Sequence, residues 1–240
     1  MKTNNISITD EKQTEGILLK PLVVHATDCH KLMTNPQKKG EELSETTKTW
    51  LKEKAVEEVL GLRKTVTTKP ILKGILCEQN SIELYNTVMQ SNYKKNETTK
   101  ERNGFCGTPD LIGKEGIIEI KTSWDATTFP FFKDEVSKQV KKYGHDWQCR
   151  AYMMLFNIER ATVAYCLVDT PKVTPGGERL LHEWDNYTLH QFDGIVDAKK
   201  RISMSETIYR DLKIEHKIRE RYEVANRYYQ DYLKELKSEE

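Results

Sequence analysis

Long apolar segments and paired cysteines are both missing from this 240-residue sequence. No run approaches the roughly 20 apolar residues that a membrane-spanning helix needs. The first 16 residues also lack an apolar segment of the signal-peptide type, so we expect a cytoplasmic protein with no membrane partner. The cysteines are widely spaced and include no CxxC pair, which argues against a disulfide framework or a zinc knuckle. They are Cys29, Cys77, Cys106, Cys149 and Cys166.

An excess of one charge sign is missing as well, because 38 Lys and Arg residues are matched by 37 Asp and Glu residues. This balance argues against a protein that coats nucleic acid through bulk positive charge. It does not exclude an enzyme that concentrates basic groups along one groove around central carboxylates. We expect a single domain over residues 1–240, with its core at about 21–170 and a helical C-terminal extension at about 188–240.

Apolar periodicity predicts an α/β domain with extra helices at both ends. A polar lead-in is expected over residues 1–20, and an aromatic loop over 125–133. The predicted helices cover about 25–34, 44–62, 75–90, 134–157 and 207–237. The predicted strands form a hairpin over 104–124 and a buried strand over 160–168.

The hairpin brings two carboxylates together. Gly113 and Gly116 flank a predicted two-residue turn, and counting outward from this turn puts Asp110 opposite Glu119. Directly opposed Cβ atoms in a hairpin lie about 4.5–5.5 Å apart. Because side chains alternate along a strand, Lys121 shares the face of Glu119. The pattern therefore predicts two carboxylates and one ammonium group in one cluster.

Two opposed carboxylates repel each other and destabilise a sheet unless positive charge lies between them. Lys121 is one candidate for that charge, and a divalent cation is another. A site built from oxygen ligands favours Mg²⁺ or Mn²⁺ over zinc. Without the cation, burial and mutual repulsion should raise the pKa of at least one of the two carboxyl groups. An ordinary charge ladder on a surface hairpin is the alternative reading.

Residues on two predicted helices extend the cluster. Glu78 lies near the start of the helix before the hairpin and could add a third carboxylate, although a solvated helix Glu has the same spacing. Gln148 and Tyr152 are four residues apart and share a helix face. An amide and a phenol on one face could orient a water or a phosphate, and an ordinary amphipathic helix is the alternative.

The candidate residues, taken in their order along the chain, resemble the motifs of the PD-(D/E)xK nuclease superfamily. The resemblance is to its phage-type exonuclease branch, with lambda exonuclease and the YqaJ-like viral recombinases, and it covers about residues 21–170. The motifs are G-x-x-x-E at Gly74 and Glu78, P-D at Pro109 and Asp110, E-x-K at Glu119, Ile120 and Lys121, and Q-x-x-x-Y at Gln148 and Tyr152.

The resemblance implies a restriction-endonuclease-like core, with a central mixed β-sheet flanked by helices. It also implies that the protein hydrolyses DNA phosphodiester bonds with the help of Mg²⁺ or Mn²⁺. Asp110, Glu119 and the main-chain carbonyl of Ile120 would bind the metal. Glu78 would bind it too, directly or through water.

The same resemblance gives roles to the other motif residues. Lys121 would hold and polarise the attacking water, and Gln148 would orient groups near it. Tyr152 would support these residues or contact a phosphate. The family has a Ser two places before the motif Asp, which helps to hold a terminal phosphate. Thr108 stands there in this chain and keeps the hydroxyl group, so a preference for 5′-phosphorylated ends stays open.

The expected function is a metal-dependent DNA exonuclease that acts 5′–3′ on linear duplex DNA in phage-type recombination. The cell would be a bacterium or a phage-infected host. An endonuclease, a structure-specific repair nuclease and a catalytically idle DNA-binding module are the alternatives. By family analogy alone, a single-strand annealing protein is an expected partner and a trimeric ring around DNA an expected assembly.

Overall fold

A computed structural model describes residues 19–238 of the chain. Most of the predicted lead-in, 1–20, therefore lies outside the described residues. Short 3-10 turns cover Ala26–Asp28, Tyr187–Leu189 and Ala198–Arg201. The elements are β1 (Val24–His25), α1 (Cys29–Leu32), α2 (Glu45–Leu60), α3 (Lys69–Leu76), α4 (Glu78–Met89), β2 (Lys100–Arg102), β3 (Phe105–Gly107), β4 (Leu111–Gly113), β5 (Gly116–Thr122), α5 (Lys133–Lys142), α6 (His145–Phe156), β6 (Arg160–Cys166), β7 (Ile202–Met204), β8 (Ile208–Tyr209) and α7 (Leu212–Lys237).

The larger of two sheets has the strand order β4-β5-β6-β7, and β8 also pairs with β6. The strands β5 and β6 are parallel, and the other pairs of this sheet are antiparallel. Helices α3 and α4 contact one face of this sheet, and α6 contacts the other. The smaller sheet has the order β1-β3-β2. These features confirm the predicted α/β class with a mixed sheet flanked by helices. None of the helices in the described part has the length and apolar character required to span a bilayer.

Successive side chains of β5 point to opposite faces of the larger sheet. Ile118 and Ile120 are buried in an apolar cluster with side chains of α4. Ile117 belongs to the other cluster, which contains the apolar side chains of α6. Glu119 lies between two residues of the α4 face and therefore points towards α6.

The predicted helix over 75–90 is wrong at its start, because the structure has two helices here, α3 and α4. Thr68 begins α3 by accepting a hydrogen bond from the Ile71 N–H, and Pro70 lies in the first turn. The chain turns at Cys77, which separates the two helices. This break puts Glu78 at the first position of α4, where the helix dipole favours a carboxylate.

The predicted helix over 134–157 is also two helices, and Gly144 separates α5 from α6. Its φ of +68° is in the left-handed region, which glycine tolerates far better than other residues. A Cβ at this position would lie 2.2 Å from the Cβ of His30. The break starts α6 at His145 and sets the direction in which Gln148 points.

The predicted hairpin is correct in register but not in extent. Leu111 pairs with Ile118, and Gly113 pairs with Gly116, as the sequence predicts. The strand that enters the hairpin is divided, because β3 belongs to the smaller sheet and β4 to the larger. The residues between β3 and β4 include Pro109, which has no N–H to donate to a strand ladder.

The C-terminal helix α7 begins at Leu212, later than the predicted start at 207. Asp211 caps it by accepting hydrogen bonds from the Lys213 and Ile214 N–H groups. The preceding Ile208–Tyr209 form β8. The buried stripe of α7 packs against α2 and the rest of the larger core. Its members are Ile218, Tyr222, Ala225, Tyr229 and Leu233.

Candidate active site

A pocket of about 970 Å³ lies at one end of β5, between α3 and α4 on one side and α6 on the other. The structure brings to this pocket every residue that the sequence predicts for the site. These are Glu78, Thr108, Asp110, Glu119, Ile120, Lys121, Gln148 and Tyr152.

Asp110 stands directly before β4, one position beyond the last hairpin pair. Its Oδ2 accepts a hydrogen bond of 2.7 Å from the Ile120 N–H of the opposite strand, so its carboxylate is fixed beside Glu119. Burial and the charge of Glu119 raise the pKa of Asp110 well above its usual range. This shift is the one that the sequence predicts for an opposed carboxylate pair without a cation.

Glu119 is a buried carboxylate at the centre of the pocket, and it is only 2% exposed. Its Oε1 accepts hydrogen bonds from Lys121 Nζ at 2.8 Å and from Gln148 Nε2 at 2.6 Å. Its Oε2 is buried and has no hydrogen-bond partner among the described residues. A buried carboxylate oxygen without a partner is costly, so this atom points to a bound group.

Lys121 is a charged partner of this carboxylate. Burial alone would lower the pKa of Lys121, but the charge and hydrogen bond of Glu119 outweigh it and raise the pKa. Its Nζ also donates to Oε1 of Gln148 at 3.1 Å. An ammonium group has three donors, and these two bonds leave one for a further partner.

Gln148 ties the hairpin to the α6 face. Besides its bonds to Glu119 and Lys121, its Nε2 lies 3.1 Å from the hydroxyl oxygen of Tyr152 and donates to it. Burial raises the pKa of Tyr152, so the phenol stays neutral. Gly107 makes room for this ring, because a Cβ there would lie 2.6 Å from it.

Two predicted site residues make their hydrogen bonds at the edge of the pocket. Oε2 of Glu78 lies 2.6 Å from Nζ of Lys95. The Thr108 hydroxyl is hydrogen-bonded to the Thr99 hydroxyl at 2.7 Å. Over residues 19–238, no three His, Cys, Asp or Glu side chains form a metal-ligand cluster. The carboxylate of Glu78 is paired with Lys95 instead.

The donor set nevertheless fits a hard divalent cation. Mg²⁺ is commonly held by one or two carboxylates and keeps several of its waters. Asp110 and Glu119 supply the two carboxylates, and Oε2 of Glu119 is an acceptor without a partner in the described part of the chain. These oxygen donors suit Mg²⁺ or Mn²⁺ better than a soft metal.

The sequence-based prediction omits His145 in the pocket and Lys95 beside it. His145 lines the pocket, and burial together with the charge of Lys121 lowers its pKa to about 3, so its ring is neutral. It lies three positions before Gln148, and this helical spacing is a signal that could have revealed it. Lys95 lies in an irregular loop, where no spacing rule places it beside Glu78.

Comparison with known proteins gives matches among solved structures. The sequence matches no protein-family model and no curated protein. It is similar to a phage-related exonuclease from Haemophilus somnus 129PT, with 28% identity, a TM-score of 0.81, and coverage of 90% of this chain and 97% of that one. It also resembles LHK-Exo, an alkaline exonuclease from Laribacter hongkongensis, with 13% identity, a TM-score of 0.59, and coverage of 90% and 92%. LHK-Exo has also been solved in complex with dAMP.

The fold and the carboxylate-lysine pocket support a nuclease function and agree with the predicted resemblance to the PD-(D/E)xK nucleases. The similarity to the phage-related exonuclease confirms the resemblance to the phage-type exonuclease branch of that superfamily. The similarity to LHK-Exo, at 13% identity, supports the fold.

Proposed function

We propose that this protein is an Mg²⁺- or Mn²⁺-dependent DNA exonuclease. The observation that carries the proposal is the pair Asp110 and Glu119, in which a buried carboxylate oxygen lacks a partner in the described structure, beside the ammonium group of Lys121. The 5′–3′ polarity, the linear duplex substrate and the role in phage-type recombination rest on the family resemblance.

Asp110, Glu119 and the main-chain carbonyl of Ile120 would hold the cation, with Glu78 bound directly or through water. When bound, the cation would lower the pKa of a coordinated water and offset charge on the phosphorane-like transition state. The carboxylates then need no proton to relieve their repulsion.

The side chains of the protein orient and stabilise the reacting groups. Lys121 has one donor left to hold the attacking water or to offset charge on the phosphate. Glu119 and Gln148 fix the position of this ammonium group by two hydrogen bonds. Tyr152 accepts from Gln148 and keeps its own O–H proton for a phosphate oxygen.

The proposal is tested with duplex DNA that is labelled at one end. The wild-type protein should release nucleotides from linear DNA with Mg²⁺, and EDTA should stop the reaction. Glu119→Gln should lower the rate by about 100-fold or more, because the variant loses one of the two carboxylates that would hold the cation and also the charged partner that positions Lys121. Glu115→Gln is the matched control, since Glu115 is exposed at the tip of the same hairpin.

Equal rates for wild type, Glu119→Gln and Glu115→Gln would contradict the proposal. Cleavage of covalently closed circles would identify an endonuclease instead. DNA binding without hydrolysis would identify a catalytically idle module.

On the family resemblance, we also propose a single-strand annealing protein as partner and a trimeric ring as the assembly.

A further inference from the structure

A second lysine, outside the family motifs, contacts the acidic centre. Nζ of Lys95 lies 2.6 Å from Oε2 of Glu78. The hydrogen bond to Glu78 raises the pKa of Lys95, and the charge of Asp110 acts in the same direction. The ammonium group of Lys95 therefore neutralises Glu78, the third carboxylate of the site.

The loop that carries Lys95 is fixed to the backbone of the P-D motif. The Asn96 N–H donates to the carbonyl of Asp110 at 2.8 Å, and Asn96 Nδ2 donates to the carbonyl of Pro109 at 2.9 Å. These bonds hold the loop beside Asp110 independently of the Lys95 side chain. The position of Lys95 therefore follows from the architecture of the site.

The same loop is fixed to α4 at its other end. The side chain of Asn86 both donates to the carbonyl of Tyr93 and accepts from its N–H, each at 2.9 Å. The Tyr93 ring lies over Gly113 of the hairpin, where a Cβ would come within 2.3 Å of it. Residues 93–96 therefore bridge α4, which carries Glu78, and the hairpin.

We propose that Lys95 competes with the divalent cation for Glu78 and thereby sets the metal affinity of the site. This inference rests on the proposed metal-dependent function. A cation that takes Oε2 of Glu78 must displace the Lys95 ammonium group. With all three carboxylates ionised, as cation binding requires, Glu78, Asp110 and Glu119 carry three negative charges against the two positive charges of Lys95 and Lys121, which leaves one net negative charge. Loss of Lys95 doubles this net charge and frees Glu78.

The size of the effect follows from exposure. The Lys95 side chain is 48% exposed and that of Glu78 is 27% exposed, so solvent screens their attraction. A divalent cation at this position interacts twice as strongly with each unit charge as a monovalent one does. Removal of Lys95 should therefore tighten metal binding by about 3- to 10-fold.

The test is calorimetric titration of Mn²⁺ into the full chain without DNA. Lys95→Met keeps most of the aliphatic stem but removes the charge, and should bind Mn²⁺ about 3- to 10-fold more tightly than wild type. Lys94→Met is the matched control, because Lys94 is exposed and has no ion pair within residues 19–238. Its affinity should stay within about 2-fold of wild type.

Two further variants show whether the effect passes through Glu78. In a Glu78→Gln background, Lys95→Met should tighten binding by about 2-fold or less, because only the longer-range attraction to Asp110 is then lost. With Glu78 present, Lys95→Arg should behave as wild type. Equal effects of Lys95→Met and Lys94→Met would overturn the proposal, as would a tightening of undiminished size in the Glu78→Gln background. If wild type and Glu119→Gln both fail to bind Mn²⁺, the proposed function fails as well. Mn²⁺ binding by wild type with no response to Lys95→Met overturns the Lys95 proposal alone.

Discussion

Lys121→Met is expected to lower the single-turnover rate of DNA hydrolysis by about 100-fold or more, the loss typical of removing one preorganised donor. The variant keeps the aliphatic stem but removes the ammonium group that Glu119 and Gln148 hold in place. Because the carboxylates remain, Mn²⁺ binding should persist. The measurement compares hydrolysis rates on end-labelled duplex DNA with Mn²⁺ affinity from calorimetry.

Lys114→Met is the control for this prediction, since Lys114 is an exposed lysine at the turn of the same hairpin. Its rate should equal that of wild type. A Lys121→Met variant that remains folded and loses less than about 10-fold in rate would show that the ammonium group does not act on the reacting atoms.

Asp110→Asn is expected to stabilise the metal-free protein at pH 8 while it abolishes hydrolysis. The pKa of Asp110 in the folded protein is raised above its usual value of 3.8 by burial and by Glu119. The folded state therefore holds this proton more tightly than the unfolded state does. Stability linked to Asp110 is present at low pH and is lost as pH rises through the raised pKa. Asparagine is neutral throughout and avoids this loss.

Thermal unfolding in EDTA between pH 4 and pH 8 tests this prediction. The difference in Tm between the variant and wild type should grow with pH, by about 2–4 °C for each kcal/mol of stability that wild type loses. Added Mn²⁺ should then stabilise wild type but not the variant. Asp231→Asn, at an exposed position of α7, should show no such pH dependence. A Tm for Asp110→Asn at or below that of wild type at pH 8 would refute this account of the carboxylate pair.

The hairpin and its carboxylate pair could be predicted because their causes are local. Gly113 and Gly116 define the turn, and strict alternation then fixes which residues oppose each other and which share a face. Asp110, Glu119 and Lys121 follow from these rules without reference to the rest of the chain. Helix spacing likewise puts Gln148 and Tyr152 on one face, and the structure joins them by a hydrogen bond.

The breaks in the helices could not be predicted in this way, because their causes are tertiary. Gly144 interrupts the helical pattern where His30 packs against it, and a single glycine inside a helical pattern is usually tolerated. Lys95 is at the site because Asn96 binds the backbone of Asp110 and Pro109. No periodic pattern encodes such a contact between a loop and a strand.

The central claim is that Asp110 and Glu119 hold a divalent cation, and a crystal soaked in Mn²⁺ tests it most directly. Anomalous diffraction should show a peak between the Asp110 carboxylate and Oε2 of Glu119, and this peak should vanish in Glu119→Gln. Wild-type crystals that show no peak there at saturating Mn²⁺, or a peak that persists in Glu119→Gln, would contradict the claim.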